Sequence, residues 1–139
     1  MQIPDFIQDE KIYKQWLYRK ARSHYERDKK YVEKDLKTFR YTYQDYKNAI
    51  HKAVLDSKGV DCYTGEMLEW SLIGKWNNKE AKTIGYKKKF KNLPTLEHVD
   101  RANFADNFAI CSWSVNDTKN DLSKDEFVEL CKKVIKHIG

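Results

Sequence analysis

Between Leu96 and Ser123 the chain carries polar side chains suited to holding a divalent cation beside a general base: Glu97 next to His98, then Asn107 and Asn116. Hydrolysis of a phosphodiester needs a water deprotonated in line with the leaving oxygen, and counter-charge for the oxygens on which negative charge develops. Histidine suits the first task, because its unperturbed pKa of about 6.5 leaves it largely neutral near physiological pH. His98 is the candidate base. Hard cations such as Mg2+ or Mn2+ take oxygen ligands and keep several waters when only one or two protein groups bind them. Glu97 and Asn116 are the candidate ligands. An acid-histidine pair alone has little specificity, and the spacing of the residues around it gives it meaning.

These residues need elements to carry them. Pro94 can begin a strand TLEHV, and the β-rich run NFAICSW forms a second, with the loop DRANFAD between them. Neighbours on a regular strand point to opposite faces, so Glu97 and His98 can serve one site only where the strand ends or twists. Ser114 is a reasonable N-cap for a short helix with Asn116, Lys119 and Asn120 on one face. A capping box, Ser123 to Glu126, then opens a final helix with an apolar stripe of Phe127, Leu130, Cys131, Val134, Ile135 and Ile138. That stripe, Cys131 included, is expected in the core, as is Cys111 in its strand.

Upstream, Tyr13, Trp16, Leu17, Ala21 and His24 recur at helical spacing within a basic segment. Thr42 and Asp45 cap a second helix with Tyr46, Ile50, Ala53 and Val54 on one face, ended by Lys58-Gly59. His24 and His51 on these helices are read as packing or surface residues. A turn at Thr64-Gly65 should lead into a short strand, another turn falls at Asn77-Asn78, and Ser71 to Asn92 should be irregular.

With these residues in view, Pro94 to Leu122 resembles the HNH endonucleases, the ββα-metal nucleases, in their HNN form. In that pattern an acid-His pair ends the first strand, a central Asn follows, and a helix delivers a final His or Asn. The matching positions are Glu97-His98, Asn107 and Asn116, and the NDTKNDLS run after them also looks like this family. The resemblance implies that His98 activates water and that Glu97 and Asn116 hold Mg2+ or Mn2+. It further implies that Asn107 fixes the loop and orients the histidine strand, while Lys119 meets the scissile phosphate. Its fold would be α+β: a ββα-metal (HNH) core with a C-terminal helix over 61–139, and a basic helical region over 1–60 packed on it. Two departures stand out. Glu97 replaces the more usual Asp, one methylene shorter, and the CxxC knuckles are missing, Cys62 having no CxxC partner. No structural zinc is expected.

The 139 residues are enough for one domain, and no Pro/Gly/Ser-rich stretch divides them. The formal charge of +6 is uneven: Lys11 to Arg40 holds eleven Lys/Arg against four Asp/Glu, and a second run, YKKKFK, precedes the acid-histidine pair. Cations interleaved with aromatics suit a nucleic acid, because cations release condensed counterions while rings pack on sugars or bases. Arg19, Arg22, Lys87, Lys88 and Lys89 are the candidate phosphate contacts, with DNA as the expected partner and RNA left open. The N-terminal residues do not read as a signal peptide, and no apolar run reaches the roughly 18 residues that span a bilayer, so a cytoplasmic protein without membrane partners is expected. Its three separated cysteines should be reduced. One such site cuts one strand at a time, so cutting a duplex through would take a homodimer or successive nicks. The alternative is a non-catalytic nucleic-acid-binding module with the same fold.

Overall fold

Side-chain caps start both long helices. Asp9 accepts from the Ile12 N–H at 3.0 Å and opens α1 (Glu10–Glu33), while Thr42 and Asp45 form a full capping box at the start of α2 (Tyr43–Ser57). Each satisfies N–H groups that a first turn leaves without carbonyl partners, worth about 1 kcal/mol. α2 ends as its sequence predicts, at Lys58 with φ 53° and Gly59 with φ 87°. In the computed structural model, residues 1–75, 86–99, 105 and 108–139 are described.

The apolar positions expected to face inward do so: Tyr13, Trp16, Leu17 and Ala21 from α1, and Tyr46, Ile50, Ala53 and Val54 from α2, are buried. Removing large apolar side chains of this kind from water contributes about 1.5–3 kcal/mol each. The two helices pack along each other, and α2 packs also on a two-stranded sheet. In that sheet β1 (Pro94–His98) and β2 (Phe108–Ser112) run antiparallel, with Glu97 opposite Ala109 and His98 opposite Phe108. β2 leads directly into α4 (Trp113–Lys119), which packs on both strands, and α5 (Lys124–Ile138) follows. The fold is α+β.

Several elements differ from expectation. α4 is capped by Ser112 rather than Ser114, with the Val115 N–H donating to Ser112 Oγ at 3.0 Å. It can start early because the Trp113 and Ser114 N–H groups find the Leu93 and Lys91 carbonyls at 2.8 and 3.1 Å. Asn120 is therefore the C-cap, outside the helix. The strand expected after Thr64-Gly65 is reduced to one bridge, Val60 to Met67, and a 3-10 turn at Trp70–Leu72 follows. Part of the supposedly irregular Ser71 to Asn92 is a short helix, α3 (Tyr86–Lys89). The Asn77-Asn78 turn, and all of DRANFAD but Ala105, lie outside the described residues.

α5 has the predicted capping box, but its apolar stripe is not core. Leu130, Cys131, Val134, Ile135 and Ile138 are exposed, and Phe127 is half-buried with its ring 5.8 Å from that of Tyr63. Periodicity reports a face, not what covers it, and here α1, α2 and the sheet close the core without α5. Cys111, in contrast, is buried as expected. Among the described residues no helix is long and apolar enough to cross a membrane.

Candidate active site

Glu97 and His98 are the last two residues of β1. Strand alternation holds: Glu97 turns toward α4 and Tyr63, His98 toward α1. Because the strand stops there, both side chains reach one cleft of about 610 Å³, which Asn116 and Lys119 of α4 also line. The opposite wall is a face of α1, where His24, Arg27, Asp28 and Tyr31 follow at helical spacing.

The Glu97 carboxylate is 7% exposed and doubly engaged. Lys119 Nζ lies 2.5 Å from Oε1, and the Tyr63 hydroxyl donates to Oε2 at 2.6 Å. Burial, then this bond to the carboxylate, hold the Tyr63 phenol far above the ordinary tyrosine range. Tyr63 is placed by Asp61, itself 1% exposed, whose carboxylate accepts from the Tyr63 and Thr64 N–H groups at 2.7 and 3.3 Å and from the Ser112 N–H at 2.9 Å. The turn after Asp61 is thus tied to the start of α4 by a carboxylate.

His98 Nε2 lies 3.1 Å from Asp28 Oδ2, with both side chains 12% exposed, and the Tyr46 hydroxyl donates to the same oxygen at 2.6 Å. The imidazole sits against the Phe108 ring, its partner across the sheet, at 4.6 Å between centroids, and 5.2 Å from the His24 ring. Arg27 Nη2 is 2.6 Å from His24 Nδ1. Guanidinium nitrogens only donate, so His24 Nδ1 accepts and the neutral ring carries its proton on Nε2. Burial, with Arg27, His98 and Lys20 adding repulsion, holds His24 neutral with its pKa pushed down to about 3. Cys111 is no nucleophile, since burial pushes its thiol up to about 12.

The donor chemistry fits a hard cation. Glu97 and Asn116 both line the cleft, so a carboxylate and a side-chain amide are available there, and a cation held by these two would keep further positions for water, as Mg2+ prefers. The Lys119 ammonium on Oε1 supplies the counter-charge of this buried carboxylate. Among the described residues no group of three or more His, Cys, Asp and Glu gathers as a fuller cage.

The remaining sequence candidates fall elsewhere. Arg19 and Arg22 are exposed on α1 and line a groove that meets the cleft at Arg27 and Tyr31. Arg22 is paired with Glu26 at 3.2 Å. Lys88 and Lys89 are exposed on α3 and outside the cleft lining. Asn107 and the Lys87 side chain lie outside the described residues. Lys119 is buried on Glu97 rather than projecting to solvent. Sequence reasoning missed Asp28, Tyr46 and Tyr63. Asp28 had a signal, being a carboxylate one turn beyond His24 on the Leu17, Ala21, His24 stripe; the two tyrosines had none apart from ordinary packing. No family model, curated protein or solved structure matches the chain, so the reading of this cleft rests on its own residues and geometry.

Proposed function

We propose that the protein is a metal-dependent endonuclease of the HNH type, hydrolysing phosphodiester bonds in DNA, with β1, β2 and α4 as its ββα core. The observation that carries this reading is the convergence of Glu97, His98, Asn116 and Lys119 on one cleft at the end of β1. His98 takes the proton of the attacking water. Glu97 and Asn116 would hold Mg2+ or Mn2+, which supplies counter-charge to the phosphate and the leaving oxygen when bound. Lys119 stands in the same wall and can exchange Glu97 for a phosphate oxygen. Asn107 keeps the loop-fixing role that the resemblance implies. The ridge of Arg19, Arg22 and Arg27 leads along α1 into the cleft and gives a duplex backbone its track.

One observation favours a second reading, a nucleic-acid-binding module without catalysis: Glu97 is already neutralised by Lys119. Supercoiled plasmid incubated with the protein separates the two. Under the first reading nicked product forms with Mg2+ or Mn2+, stops with EDTA and returns when metal is restored. Salt-sensitive retardation of the plasmid with no metal-dependent product would favour the second.

A further inference from the structure

We infer that Asp28, held by Tyr46, is a positioning residue for His98, a role that rests on the reading of His98 as the general base. Asp28 belongs to α1, outside the ββα elements, yet it is 9% exposed and its Oδ2 lies 3.1 Å from His98 Nε2. An ionised carboxylate only accepts hydrogen bonds. A carboxylate oxygen 3.1 Å away repels a lone pair on the nitrogen facing it and favours a proton there, so the neutral imidazole keeps its basic lone pair on Nδ1. The Tyr46 hydroxyl, donating to that same Oδ2 at 2.6 Å, fixes the carboxylate from α2. Phe108 and His24 confine the ring on its flanks, with centroids 4.6 and 5.2 Å away. Two helices thereby set both the tautomer and the orientation of the base, as a carboxylate does for a catalytic imidazole in general.

The test reads the tautomer and the reaction separately. Long-range proton–nitrogen NMR of the wild-type protein near about pH 8, where an ordinary histidine is neutral, identifies the His98 ring by its loss in His98→Ala. The expected result is an Nε2–H tautomer in the wild type that shifts toward Nδ1–H in Asp28→Asn, whose amide can turn its NH2 to the ring. In plasmid nicking, kcat of Asp28→Asn should fall by about 10²-fold with KM little changed. Tyr46→Phe, which keeps the carboxylate and removes one hydroxyl, should lose less and shift the tautomer partly. An Nδ1–H tautomer in the wild type overturns the inference without any variant. So does an Asp28→Asn protein whose kcat matches an active wild type. A tautomer that responds to Asp28 in a protein with no nuclease activity would support the positioning contact while removing the endonuclease reading.

Discussion

An ammonium and a carboxylate that are both more than nine-tenths buried each cost several kcal/mol to desolvate, so neither member of the Lys119–Glu97 pair tolerates loss of the other. Lys119→Ala strands the carboxylate, and urea unfolding should show a loss of about 3–5 kcal/mol. A cation bound by Glu97 and Asn116 would take over the compensation. Mg2+ should accordingly raise the melting temperature of Lys119→Ala by more than that of the wild type, and equal shifts would count against a cation site at Glu97. His24 makes a second prediction. Its folded pKa of about 3 lies below the unfolded value of about 6.5, so the unfolded chain binds the extra proton between these values. Stability is therefore full above that window and falls as pH drops through it, by up to about 1.4 kcal/mol per pH unit. Urea midpoints at about pH 7 and about pH 5 should differ less in His24→Phe than in the wild type; an unchanged difference would put the titration on another group. The types and spacing of Glu97, His98, Asn116 and Lys119 were readable because they lie on consecutive elements. Asp28 had only its place on the Leu17, Ala21, His24 stripe as a signal, and its role was missed because a carboxylate on a basic helix reads as a solvated residue until the fold brings His98 to it.

The turn at Asp61 is held by hydrogen bonding: one buried carboxylate fastens Tyr63 and Thr64 to the β2–α4 junction. Three N–H groups converge on one carboxylate. Asp61→Ala leaves the buried Ser112 N–H without that acceptor and releases Tyr63 from its place beneath Glu97, so a loss of at least about 2 kcal/mol is expected in urea unfolding, with weaker metal response at Glu97. A variant of wild-type stability would mean that packing alone holds the turn. The capping signals at Thr42-Asp45 and Ser123-Glu126 were correct because a capping box is local and needs no tertiary partner. The start of α4 was misplaced for the opposite reason: carbonyls of Lys91 and Leu93, distant along the chain, satisfy its first N–H groups. α5 shows the same division, since its helix was readable from spacing while its exposure depended on how the rest of the chain closed.

The N-terminal helices were expected to be a basic accessory packed on the core; instead they supply much of the buried core themselves, and α1 forms a wall of the cleft. α2 buries its apolar face between α1 and β2, and this fixes the His24, Arg27, Asp28 face of α1 against the end of β1. Amphipathic periodicity announces both helices but says nothing of which polar residue comes to rest on His98, a choice made by the packing of Tyr46, Ile50 and Val54 against the stripe of α1. Charge follows the same geometry: the groove lined by Arg19 and Arg22 shares Arg27 and Tyr31 with the cleft, so under the proposed function a phosphate backbone tracked along α1 would arrive near His98. The most direct test is the rate at which supercoiled plasmid becomes nicked circle with Mn2+, for the wild type and for His98→Ala, at equal amounts of bound DNA. The account predicts a wild-type rate at least about 10²-fold above that of His98→Ala, with plasmid retention nearly the same for both. Equal nicking rates, with metal present and DNA bound, would contradict it.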